Sequence, residues 1–106
     1  MMFQEGNTYS LEIPLTLGGE ELNINDVSLV EFMFEDIRKV YGEDADVTYD
    51  NNKKCFIVPL TQEETFELSE NNIIKYQARV KFTDDTVMGT TIYNGFVQES
   101  VSKEVL

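Results

Sequence analysis

Ile74, Tyr76, Ala78, Val80 and Phe82 alternate without a break against Lys75, Gln77, Arg79 and Lys81. Side chains along a strand point to opposite faces every second residue, so this segment reads as a half-buried β-strand with a polar outer face. At about 3.3 Å per residue it spans roughly 30 Å, enough to cross a small domain. Tyr9, Leu11, Ile13, Leu15 and Leu17 repeat the pattern against Ser10, Glu12, Pro14 and Thr16. Pro14 has no amide hydrogen to give to a ladder, which predicts an edge strand or a bulge there. Gly18-Gly19 predicts a turn, Leu22 and Ile24 a short strand or arm, and Asn25-Asp26 a bend.

The next strand is expected over residues 29–35, with Val30, Phe32 and Phe34 on one face and Glu31, Met33 and Glu35 on the other. Ile37, Val40 and Tyr41 either extend it or form an irregular connection. Residues 42–46 read as a surface loop. Two strands, 47–49 and 55–60, flank Asp50-Asn51-Asn52-Lys53, a hairpin turn by composition. Thr61-Gln62-Glu63-Glu64 is a capping box, because the Thr61 hydroxyl can accept from the Glu64 amide while the Glu64 carboxylate reaches back. It predicts a short helical turn over 61–68, the one helix expected. Asp84-Asp85 predicts a tight turn after the long strand, and 86–97 a further strand with bulges or bends at Gly89 and Gly95. Many short strands at this spacing favour a two-sheet antiparallel sandwich of about 6–8 strands over a βαβ fold. The expectation is an all-β fold, with residues 1–106 as a single domain.

Composition narrows the function classes. Hydrophobic residues make up 42% of the chain, with seven Phe and five Tyr, which argues against disorder. The net charge is −12, and residues 1–37 hold eight carboxylates with no Lys or Arg. Nucleic acids and anionic membranes need cations facing phosphate, so neither is an expected partner. The chain has no His, which removes the commonest general base and the commonest metal ligand. Its single Cys55 lies in the apolar run Cys55-Phe56-Ile57-Val58 and reads as a small buried hydrophobe. One Cys cannot form an internal disulfide, which suits a reducing cytoplasm. There is no basic segment followed by an apolar run at the N-terminus and no apolar stretch near 18 residues, so neither a signal peptide nor a membrane span is expected.

Candidate chemistry is sparse. Glu20-Glu21, Glu63-Glu64 and Asp84-Asp85 are paired carboxylates, but each falls in a turn or at a helix start, where acids serve capping and solvation. Asp44, Asp46, Asp50 and Asn52 could gather oxygens around a calcium ion, yet lack the glycine and terminal glutamate of an EF-hand, so a solvated acidic loop is the expectation. Lys75, Arg79 and Lys81 form a basic stripe that could grip phosphate or an acidic partner, or pair across strands with Glu31 and Glu35; the pairing is favoured in a chain this acidic. No Gly-rich phosphate loop, nucleophile elbow or paired-Cys metal motif occurs. The expectation is no enzyme activity, no cofactor, no metal and no small-molecule substrate.

Val30-Glu31-Phe32-Met33-Phe34, Val47-Thr48-Tyr49-Asp50, the run from Phe56 through Pro59 to Phe66, Gln77-Ala78-Arg79-Val80-Lys81-Phe82 and the ending Ser100 to Leu106 resemble small proteins encoded in prophages of Gram-positive bacteria. More loosely, the layout is similar to the N-terminal domain of phage baseplate upper proteins. That likeness implies an immunoglobulin-like sandwich and a virion role, in the bacterial cytoplasm during assembly and then in the particle. It implies docking onto another structural protein of the tail, baseplate, neck or head, or onto a further copy. Exposed strand edges and the C-terminal segment are the natural docking elements, since an open edge can accept another strand. Phe96, Val97, Val101, Val105 and Leu106 are the candidate apolar contacts, unless they pack on their own sandwich. The alternative class is an acidic host-directed inhibitor or DNA mimic, motivated by the acidic N-terminal third.

Overall fold

The computed structural model describes residues 2–4, 6–68, 73–90, 93–98 and 106, with backbone only at 2, 73 and 93–98. In chain order the strands are β1 (Met2–Gln4), β2 (Tyr9–Ile13), β3 (Thr16–Leu17), β4 (Glu20–Glu21), β5 (Val27–Phe34), β6 (Ile37–Tyr41), β7 (Thr48–Asp50), β8 (Cys55–Leu60), β9 (Ile73–Phe82), β10 (Val87–Gly89) and β11 (Tyr93–Gln98). One helix, α1 (Gln62–Glu67), links β8 to β9.

The strands form three sheets, two of which face each other while β3 and β4 make a separate two-stranded hairpin. The larger runs β1-β11-β9-β5-β6, with β10 also on β9, and the smaller runs β2-β8-β7. Phe32 of β5 meets Phe56 of β8 with ring centroids 5.6 Å apart, which sets the inner faces of the two sheets against each other. The chain is therefore an all-β sandwich, as the alternation predicts. The order β2-β8-β7 opposite β11-β9-β5-β6 can be set beside the B-E-D and G-F-C-C′ positions of an immunoglobulin sandwich. β10 and β11 share one strand position, because both lie antiparallel on β9. Gly89 pairs with Arg79 but Tyr93 with Tyr76, four steps against three, so the register slips by one residue between them. The expected irregularity thus falls after Gly89, whereas Gly95 pairs in regular register with Ile74.

Local chemistry explains most of the turns. Gly18 and Gly19 both have positive φ, the type I′ geometry whose twist suits a two-residue hairpin, and they join β3 to β4. The Asp50 carboxylate accepts from the amides of Asn52 (2.8 Å) and Lys53 (3.1 Å) and so builds the β7–β8 turn. The capping box at Thr61 and Glu64 is formed and starts α1. Thr65 of α1 is fully buried. Its hydroxyl accepts from the Gly6 amide at 3.0 Å and lies 2.9 Å from the Asn7 carbonyl, tying the helix to the β1–β2 turn.

Three expectations need correction. Residues 37–41 neither extend β5 nor connect it irregularly; they form β6, folded back by the two-residue turn Glu35-Asp36. Pro14 does not bulge a continuous strand over 9–17 but ends β2, and β3 restarts at Thr16. Finally, α1 is not the only helix, because Ile24–Asp26 form a 3-10 turn capped by the Asn23 side chain.

Candidate docking site

No described residue pairs with the outer edge of β2. In immunoglobulin sheets of the ABED type, strand A lies there, beside B. Here the first strand goes elsewhere: β1 runs parallel to β11 in the opposite sheet, Met2 facing Phe96 and Phe3 facing Val97. Phe3 is fully buried and meets Tyr9 and Phe34 edge-on, at 5.7 and 6.1 Å, which anchors β1 at that end of the sandwich.

The sequence determines which groups the open edge presents. Antiparallel pairs alternate between those that exchange both hydrogen bonds and those whose N–H and C=O groups point away. Ser10 lies opposite Pro59, which has no N–H, so that pair belongs to the second kind. Tyr9, Leu11 and Ile13 therefore bond inward to Leu60, Val58 and Phe56. Ser10 and Glu12 direct their amides and carbonyls outward, away from the sheet. Pro14 adds only a carbonyl. Two residues of ladder with no partner among the described residues are what a visiting strand would need to register.

Beside this edge lies an apolar cleft of about 240 Å³. Ile13, Pro14 and Leu15 form its upper lip, and Phe32, Phe34, Tyr76 and Ala78 of the larger sheet form its floor. Thr90 closes one end: its hydroxyl accepts from the Ala78 amide at 3.1 Å, and its carbonyl accepts from the Gln77 side chain at 2.7 Å. Among the described residues β2 is the last strand of its sheet, while the larger sheet continues from β9 to β11 and β1.

The β6 edge is better guarded. On β6, the outward Val40 amide donates to the Asp44 carboxylate at 2.7 Å, and the Val40 carbonyl accepts from the Asp44 amide at 2.8 Å. Asp44 and Asp50, considered as calcium ligands from their spacing, are thus occupied as loop caps. Among the described residues no group of three acids or cysteines is placed to hold a metal, and no helix is long and apolar enough to cross a membrane. Burial pushes the Cys55 thiol up, away from the thiolate form.

The basic stripe pairs across strands where it faces Glu31. Glu31 and Arg79 are register partners, and the Arg79 guanidinium donates twice to one carboxylate oxygen, at 2.7 and 2.9 Å. Arg38 of β6 donates to the other oxygen at 2.7 Å. Lys81 instead lies 3.7 Å from Asp85, four residues along its own chain. Hydrogen bonds from Arg38 and then Arg79 hold the Glu31 carboxyl below its ordinary value of 4.5. A carboxyl whose folded value is depressed contributes stability above its unfolded value, and that contribution is lost as pH falls through the folded one. Glu31→Gln is therefore expected to destabilise the domain at pH 7, with the gap to the native protein narrowing as pH falls below 4.5. Urea unfolding at pH 7 and at pH 3 checks this; a gap of equal size at both would remove the ion pair from the account.

Of the apolar contacts expected near the C-terminus, Phe96 and Val97 lie on β11, where their backbones pair with β1; their side chains, and all of Val101 and Val105, lie outside the described residues. Leu106 is fully exposed, and its amide donates to the Gln62 side chain at 2.7 Å. The site that the geometry does offer, Ser10 to Leu15 with the floor of the cleft, carries one sequence signal, Pro14 within an alternating run. No known family matches the chain, and no curated protein and no solved structure is matched either.

Proposed function

We propose that this chain is a phage or prophage structural or accessory protein, a small immunoglobulin-like module that docks onto another particle component through the β2 edge. The observation that carries the reading is the outward ladder of Ser10 and Glu12 beside an apolar cleft, at the position where strand A would lie. An added strand would gain backbone hydrogen bonds from the edge and burial for every second side chain from the cleft. The resemblance of residues 30–34, 56–66 and 77–82 to small prophage proteins supplies the setting.

The test is mass spectrometry of density-purified particles from an induced culture of the source organism, carrying the native chain or Glu12→Pro. The Glu12 amide points away from β8, so proline there removes no bond of the native sheet while blocking the edge. The native chain is expected at a stoichiometry matching other particle proteins. The variant, folded by circular dichroism, is expected at least tenfold depleted. Particles that form without the native chain would overturn the virion role, and undiminished incorporation of the variant would overturn the edge.

A further inference from the structure

The partner's chemistry can be read from the same edge, on the reading that β2 is the docking element. We infer that the occupant is an extended segment of another protein in which apolar residues alternate with Lys or Arg. The alternation follows from register. A strand bonded to Ser10 and Glu12 places the residues opposite those two on the outer face of the smaller sheet. It places the residues opposite Leu11 and Ile13 inward, over Leu15, Phe32 and Ala78. The inward positions meet an apolar lining and call for Val, Ile or Leu.

The outward positions meet negative charge. Glu12 stands on that face and is exposed. Among the described residues one cation reaches it, Lys53, at 2.6 Å from a single carboxylate oxygen, which leaves the other oxygen for a second donor. Residues 1–37, which include the edge, carry eight carboxylates and no base, and of these Glu31 lies on the other sheet, held by Arg38 and Arg79. Directly opposed strand residues of opposite charge attract and like charges repel, so a cation opposite Glu12 is favoured and an acid is rejected. The same field disfavours a second copy of this chain as occupant, because each copy carries −12 and would bring its own acidic edge to the contact.

The test uses the full chain and a synthetic heptapeptide with Val or Leu at positions 1, 3, 5 and 7 and Lys at 2, 4 and 6, capped at both ends. The control has Glu in place of Lys. Titration followed by amide NMR is expected to show saturable binding centred on Ser10 to Ile13. The Glu peptide is expected to bind at least tenfold more weakly, and the Lys peptide to weaken between 0.05 and 0.5 M salt, since exposed charges are screened within about 10 Å at 0.1 M ionic strength. Glu12→Gln keeps the ladder and should reduce the preference for Lys several-fold. A Lys peptide methylated on the nitrogens that face β2 should not bind; this arm is independent of how any variant folds. Equal affinity for the two peptides, shifts centred away from β2, or no binding at all would overturn the inference. If no peptide binds yet Glu12→Pro is still excluded from particles, the basic-partner inference falls while the docking edge stands. If the Lys peptide binds at β2 but Glu12→Pro enters particles normally, the inference holds and the particle-docking reading falls.

Discussion

Phe56→Ala is expected to cost about 4 kcal/mol, the largest effect of any single truncation proposed for this domain. Phe56 is 1% exposed and sits at the centre of an aromatic cluster. Its ring lies 5.6 Å from Phe32 and 5.2 Å from Tyr41 of the larger sheet, and 4.9 Å from Tyr49 beside it in the smaller one, all edge to face. Such pairs contribute about 0.5–1.5 kcal/mol each beyond the area they bury. Removing the ring takes away its transfer free energy and leaves a cavity that neighbouring rings, fixed on their strands, can only partly fill. Domains of this kind are stable by about 5–15 kcal/mol, so the variant should stand close to its unfolding threshold at 25 °C. Phe56→Leu keeps most of the volume and should cost less than about 1.5 kcal/mol. Urea unfolding of both variants, with slopes unchanged from the native chain, gives the two numbers directly. A loss below 1 kcal/mol for alanine would mean that the sheets are held by something other than this ring.

Gly42→Ala is expected to be nearly as damaging, about 3 kcal/mol, although it adds a single methyl group at an exposed position. Gly42 follows β6 with φ of +99°, beyond even the left-handed helical range that Asn or Asp adopt. A β-carbon there would lie 2.8 Å from the Ser28 carbonyl oxygen and 2.7 Å from Cδ2 of Leu29. The leucine can rotate, but the carbonyl is main chain beside the start of β5 and cannot. Loop 42–46 must then move, and with it the Asp44 carboxylate that caps the Val40 amide. The expected signature is a fall in melting temperature together with faster hydrogen exchange at Val40 and Asp44. An unchanged melting temperature would show that the loop has another conformation of equal energy.

The large features of the fold are visible in the sequence wherever one face of a strand is buried and the other wet. β2, β5 and β9 turn every second residue inward, where it is buried or half-buried, and their alternation places them with the right face inward. β6 breaks that rule for a physical reason. Ile37 and Tyr41 lie on its inner face, but Val40 on its outer face is buried as well, and the inward Lys39 is a cation held at 2.8 Å by Glu64 of α1. Burial on both faces and an inward charge erase the period-two signal, so the segment does not read as a strand. The turn before it is equally obscure, since Glu35 takes φ of +52° where glycine or asparagine would announce a hairpin.

The candidate site is legible in only one of its parts. Pro14 marks an edge, and β2 is an edge. That the edge borders a cleft depends on where β1 pairs, and three residues of strand carry no alternation long enough to choose a sheet. Pro59 fixes which amides of β2 face outward, but only once it is known to lie opposite Ser10. The apolar residues near the C-terminus attract notice in the sequence because they follow the last clear strand; among them the structure describes an exposed side chain for Leu106 alone.

The parallel pairing of β1 with β11 also orders the events of folding. The β5–β6 pair closes across two residues and the β7–β8 pair across four, whereas β1–β11 joins the second residue of the chain to the ninety-sixth. Loop-closure entropy rises as the logarithm of length, which makes that last contact about 3 kcal/mol more costly to close than a tight hairpin. On loop closure alone the local hairpins are expected to form first and the N-terminal strand to join β11 late. Phe3, fully buried in the native state, would then be a residue whose truncation speeds unfolding more than it slows folding, a partition that stopped-flow kinetics of Phe3→Ala measures.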